Sequence, residues 1–274
     1  MFNIQSISDR DQMRDASAIL DADLRKMDFH AARISVVVGY PRSDIGKSEL
    51  VARLGEQLKD NFSIIKFDGF LNTSTDRRKA RDQVAFGGAH SMLSASLIVD
   101  FLRRFGDCKE LLKFRPHLAK FFVLQVYERW VALGSSRELF LEIGGTFTDN
   151  EVTAYVVPGL SILKQKYSKV RLFLVTAVEY GGGGVKTRPV VNALERAQCL
   201  GLSFELIFAR LPFELPVQYN WSAINDHVNE NIRDAFPRIP ELKALCIPFF
   251  RGDDLPDYNG FLLEHRHLIF PEES

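Results

Sequence analysis

The chain has 274 residues, 46% hydrophobic and 26% charged, with 35 acidic and 35 basic side chains and zero formal net charge. Such a length can bury a sizeable core, while the charge balance excludes a general nucleic-acid or membrane-surface binder and leaves room for a local basic pocket. Three scattered cysteines, Cys108, Cys199 and Cys246, exclude a disulfide framework and a zinc site and suit a reducing compartment. The first residues are charged rather than signal-like, and no stretch approaches the roughly 20 apolar residues of a membrane span. A cytoplasmic protein with neither membrane nor nucleic acid as partner is therefore expected.

In chain order, Met13, Ala16, Ile19, Leu20 and Leu24 fall at helical spacing and predict an amphipathic helix over residues 9–27, a unit of about 8–28 preceding the core. Arg33 to Val38 is a short apolar, β-branched run that reads as a buried strand, and Lys47 to Leu58 reads as a helix. Phe62 to Asp68 is a second strand, followed by a polar, glycine-marked loop to residue 90. Residues 91–105 and 117–133 read as helices. Glu138 to Gly145 is a third strand ending in a glycine pair, and Lys169 to Val178 a fourth. The run Gly181 to Gly184, a flexible lid or a close backbone approach to phosphate, leads into a helix around Pro189 to Leu200. A fifth strand is predicted from Leu202 to Arg210, a helix over residues 224–235 and a last strand near residues 242–250. Cys199 reads as a core residue, and His265 and His267 as part of a solvated terminal strand or tail, with metal ligation the alternative. Alternating strands and helices predict one α/β domain over residues 1–274, a P-loop NTPase-type mostly parallel sheet flanked by helices, with ligands at the carboxyl ends of its strands.

The triplet Gly46-Lys47-Ser48 follows a strand and opens a helix, the context in which backbone N–H groups and the helix end bind phosphate. Lysine then reaches the terminal phosphates and the serine hydroxyl ligates Mg2+. The usual spacing asks for glycine at Pro41, whereas the nearest upstream glycine is Gly39. The alternative is an ordinary surface helix that happens to begin with lysine. Glu142, at a strand end beside Gly144 and Gly145, is placed to hold a metal, or else to cap a neighbouring helix.

The segments "GYPRSDIGKS", "IIKFDGFLN", "LEIGGTFTDNE" and "GGVKTRPVVNALERAQCLGLSFELIFAR" together resemble the synthetase (amidoligase) domain of CTP synthase over roughly Ile34 to Phe250. That resemblance implies an ATP- and Mg2+-dependent ligase. Gly39, Ser43, Gly46, Lys47 and Ser48 would bind ATP, Lys47 and Lys66 would contact its phosphates, and Glu142 and Ser48 would hold the metal. Gly144, Gly145, Asp149, Glu151, Lys186 and Arg188 would bind a nucleotide or related phosphorylated acceptor. A homodimer or homotetramer is also implied.

The departures are specific. The segment "VAFGGAHSMLSASL" contains no acid where the family has a second metal carboxylate, so Asp68, Asp76 or Asp82 would have to take that place. Val190 and Val191 stand where the family has polar substrate contacts, Asp44 adds a negative charge to the loop, and no glutaminase domain follows. Glutamine is thus excluded as a direct nitrogen source, and CTP formation from UTP is expected to be weak or absent. Two alternatives accompany this reading: a P-loop small-molecule kinase using Asp68 as base, and a non-catalytic nucleotide-binding or scaffold homologue.

Overall fold

The structure, a computed structural model, describes residues 9–29, 32–42, 45–58, 62–68, 89–94, 96–105, 115–150, 152–212, 220–248 and 255–271. Helix α1 (Asp9–Lys26) precedes β1 (Arg33–Gly39), α2 (Lys47–Glu56), β2 (Phe62–Asp68), β3 (Ala89–Ser94), α3 (Ser96–Phe105), α4 (Arg115–Ala132) and β4 (Glu138–Ile143). A π-helical turn (Val152–Val156) runs into α5 (Val157–Lys166), followed by β5 (Val170–Ala177), a hairpin of β6 (Glu179–Gly181) and β7 (Gly184–Lys186), and α6 (Arg188–Cys199). The chain continues through β8 (Leu206–Arg210), α7 (Trp221–Ala235), β9 (Lys243–Ile247), α8 (Leu255–Glu264) and α9 (Arg266–Ile269). Seven strands form one sheet in the order β3-β2-β4-β1-β5-β8-β9. Every neighbouring pair in it is parallel.

A parallel sheet must be covered on both faces, and the strand residues sort accordingly by twos. Ile34, Val36 and Val38 of β1 and Leu139, Leu141 and Ile143 of β4 enter one core cluster, together with Leu20, Phe122, Leu160, Ala193 and Val228 from α1, α4, α5, α6 and α7. Val37 and Phe140 point the other way and pack with Leu50 of α2, Leu262 of α8 and Ile269 of α9. The second cover includes the C-terminal segment "EHRHLIF", which is helical where a strand or tail was expected. His265 packs edge-on to Trp221 and stacks near Phe261.

Three further expectations change. Residues 89–94 form an edge strand rather than the start of a helix, and α3 begins only at Ser96. The glycine run is a tight hairpin, with Gly182 and Gly183 at φ 63° and 82° in the left-handed region that such a two-residue turn demands. Helix α5 was not expected, because Val152, Val156, Val157, Pro158 and Gly159 read against a helix. Pro158 is the second residue of α5, directly after the π-helical turn. Gly159 lets α5 approach α4 closely, since a Cβ there would lie 2.6 Å from Phe122 Cδ1 and 3.2 Å from the Ala119 carbonyl.

The outer edge of β9 is closed by side chains. Asn229 accepts from Ala244 N at 2.8 Å and donates to Ala244 O at 2.9 Å, Asn225 accepts from Cys246 N at 3.0 Å, and Trp221 Nε1 donates to Cys246 O. One face of α7 therefore does what another strand would do. Among the described residues no helix is long and apolar enough to cross a membrane.

Candidate functional site

The site lies at the carboxyl ends of β1, β2 and β4. In register, Lys66 of β2 pairs with Glu142 of β4, and Glu142 also lies opposite Val37 of β1. Lys66 has the parity of Ile64, and Glu142 that of Phe140, so both project to the sheet face covered by α2. The first turn of α2 carries Ser48 to the same place. Ser48 Oγ donates to Glu142 Oε1 at 2.6 Å, and Lys66 Nζ lies 2.9 Å from Ser48 Oγ and 3.2 Å from Glu142 Oε1. Glu142 is 3% exposed, whereas Ser48 is exposed, so the cluster opens on the serine side.

Lys47 is 2% exposed and donates to the Gly145 carbonyl at 2.7 Å. It folds back across the end of β1, and Gly39 makes that possible, since a Cβ there would meet Lys47 Nζ at 2.8 Å. Gly46 ends the loop at φ 87°, a left-handed conformation that hands the chain into α2, and no side chain caps that helix start. The Gly144-Gly145 turn is tied to the neighbouring strand ends: Gly144 N donates to Phe67 O at 2.5 Å and Phe147 N to Gly39 O at 3.1 Å. Gly39, Gly46, Lys47, Ser48, Lys66, Glu142, Gly144 and Gly145 thus come together at one end of the sheet. Asp68 ends β2 opposite Ser94, and its side chain lies outside the described residues, as do Ser43, Asp44, Asp76, Asp82 and Glu151.

The remaining expected acceptor residues stand differently. Both oxygens of Asp149 are engaged locally, accepting from Thr146 N at 2.6 Å and Thr146 Oγ1 at 2.9 Å, so this carboxylate holds the turn after β4. Lys186, in the β7 arm of the hairpin, and Arg188, opening α6, are exposed. Val190 is fully buried and Val191 packs against the same core cluster, so these valines serve packing. Cys199 is exposed rather than in the core. Cys246 is buried in β9, where desolvation pushes its thiol up to about 12, a value that removes it as a nucleophile near neutrality.

Arg210 and Glu49 were missed as site residues. Arg210 ends β8 with its guanidinium against the phosphate-loop glycine: it donates to Gly46 O at 3.4 Å and, through both terminal nitrogens, to Glu49 Oε2 at 3.1 Å. The ring of buried Tyr258 lies 6.0 Å away. The available signal was a single charge at the carboxyl end of an otherwise apolar strand. Arg42, Gly46, Glu49, Tyr180 and Arg210 line a cleft of about 640 Å³ beside the loop.

Oxygen donors such as Ser48 and Glu142 suit Mg2+, which is bound through one or two protein oxygens plus substrate phosphates rather than in an all-protein cage. The described residues contain no group of three or more His, Cys, Asp and Glu able to hold a metal.

The strand order, the loop after the central strand and the lysine and serine that open α2 define an α/β fold of the P-loop NTPase type. No family model and no curated protein matches the sequence. Among solved structures, HypB from Helicobacter pylori in complex with nickel is similar at 12% identity, covering 96% of this chain and 98% of that one with a TM-score of 0.43. The hydrogenase maturation factor HypB from Archaeoglobus fulgidus is 14% identical over 93% and 98%, TM-score 0.42, and FlhF complexed with GMPPNP/Mg(2+) is 13% identical over 75% and 67%, TM-score 0.37. None of these is a CTP synthase, and the expected membership of that family is corrected on this finding. A Gly-Lys-Ser turn and a strand-end carboxylate belong to the fold at large, and shared fold does not carry a reaction with it.

Proposed function

We propose that this protein binds a nucleoside triphosphate with Mg2+, its phosphates seated at the start of α2. The observation that carries this reading is the convergence, from the ends of two strands and the first turn of one helix, of Lys47, Lys66, Ser48 and Glu142 within hydrogen-bonding reach of one another or of the Gly145 carbonyl. Phosphate binding needs N–H donors and cations at a helix start, and an Mg2+–nucleotide needs a hydroxyl and a carboxylate beside them. Ser48 and Glu142 would hold the ion, which neutralises charge on the phosphate oxygens when bound. Lys47 and Lys66 supply positive charge, and the cleft bounded by Tyr180 and Arg210 has a volume in the range of small-ligand sites.

The test is a thermal-shift panel of ATP, GTP, CTP and UTP and their diphosphates, with and without Mg2+. A ligand at 100 times its dissociation constant adds about 2.7 kcal/mol. For a chain of this size that is a rise of roughly 5–10 °C in Tm. Lys47→Ala should remove the shift, and Glu142→Gln should remove its dependence on Mg2+. An undiminished shift in Lys47→Ala would move the nucleotide elsewhere. Phosphate release from the preferred triphosphate, measured beside it, tells turnover from binding alone.

A further inference from the structure

An ammonium group already occupies the position between the hydroxyl and the carboxylate. Lys66 Nζ is 2.9 Å from Ser48 Oγ and 3.2 Å from Glu142 Oε1, and those two oxygens are 2.6 Å apart. A lysine ammonium is a compact point charge on a flexible stem that seeks oxygen partners, and Mg2+ is a hard cation that seeks the same. Because Lys66 stands directly beside Glu142 in the strand register, its stem is anchored next to the carboxylate it neutralises. Lys47 is differently placed, folded behind Gly39 onto the Gly145 carbonyl.

We propose that Lys66 and a divalent cation compete for the Ser48 and Glu142 oxygens, so that Lys66 is the resident counter-ion of this site and lets the chain hold nucleotide phosphates in the absence of metal. Two cations on the same pair of oxygens repel, so seating the metal turns the lysine out, and its four-carbon stem leaves it within reach of the loop. Linkage makes the competition reciprocal: whatever weakens Lys66 on these oxygens tightens the metal. The inference rests on the nucleotide reading above and adds to it a metal-independent mode of binding.

The experiment is calorimetric titration of the full chain with ADP in EDTA and in MgCl2, for the unaltered protein, Lys66→Met and Lys66→Gln. Mn2+ is then titrated at saturating ADP and followed by electron paramagnetic resonance. The expected result is that both variants lose ADP affinity mainly in EDTA, so that the ratio of the EDTA to the Mg2+ dissociation constant grows about tenfold or more, within the usual range of coupling between sites. Mn2+ should bind the variants more tightly than the unaltered protein. An unchanged ratio together with unchanged or weaker Mn2+ binding overturns the inference and leaves nucleotide binding standing. If the unaltered chain binds ADP in neither condition, the nucleotide reading falls and takes this inference with it. Lys66→Gln guards against a folding defect peculiar to methionine, and matching apo Tm values for the three proteins show that the comparison is between folded chains.

Discussion

Arg210 and Glu49 show how much one ion pair decides at the mouth of the loop. Glu49 sits in the first turn of α2, where phosphates would gather, and the Arg210 guanidinium cancels its charge. Arg210→Ala should weaken nucleotide binding about tenfold, or about 1.4 kcal/mol, because it removes a cation and uncovers a carboxylate. Adding Glu49→Gln should recover part of that loss, and the double-mutant cycle read by calorimetry measures the coupling. At the opposite end of the sheet, Glu138 is buried against Arg33. Burial raises its carboxyl above the ordinary range, offset in part by Arg33 and Arg171. The native state then holds a proton that the unfolded chain has released, so stability falls as pH rises through the window above the ordinary carboxylate value. Glu138→Gln should flatten the change in urea midpoint as pH rises above the ordinary carboxylate value. A slope equal to that of the unaltered protein would show that Glu138 is not its source. The sequence marks Arg210 only as a charge ending an apolar strand, and what that charge meets is decided by the loop and helix brought beside it.

Helix α5 and strand β9 are the elements whose packing is most specific. Gly159→Ala places a methyl against Phe122 and the Ala119 carbonyl, and overpacking of this kind costs about 1–3 kcal/mol, measurable as a lower urea midpoint. Combining it with Phe122→Leu should restore part of the loss, because the conflict is with that ring. Asn229→Ala strips both edge groups of Ala244 of their partners, at about 1–3 kcal/mol for each group left unsatisfied. It also opens the edge of a parallel sheet, so faster association on warming, followed by light scattering, should accompany the lower midpoint. The sequence showed α7 as a helix but not its task at the edge of β9. It hid α5 altogether, because proline, glycine and β-branched residues are poor helix formers until a neighbouring helix rewards the close approach. β3 was hidden for the opposite reason: a short edge strand has no continuous apolar run to mark it.

For the molecule as a whole, both core clusters are built on the same strands, and Val36 and Val37 of β1 face opposite layers. The two tryptophans report on different places: Trp130 packs against Phe29 and Tyr127 near α1 and α4, and Trp221 against Phe261 and His265 near the C-terminal helices. If the chain is one cooperative unit, Trp130→Phe and Trp221→Phe proteins should unfold in urea with coincident fluorescence transitions once each is referred to its own far-ultraviolet curve. Separate midpoints would divide the chain into two units.

The sequence by itself determined the alternation of strands and helices, the buried character of the central strands and the strand-loop-helix that presents Gly46, Lys47 and Ser48. These are contiguous features whose periodicity is written along the chain. Glu142 was legible for the same reason, as a carboxylate at the end of an apolar run. Only the tertiary structure decided that β4 lies between β1 and β2, which sets Glu142 beside Lys66, and that β8 delivers Arg210 onto the loop. Strand order in a parallel sheet is set by long crossovers and by which helix faces bury best, quantities distributed over many residues. A short motif shared by a whole fold therefore pointed to the fold and, read as a family signature, to the wrong family.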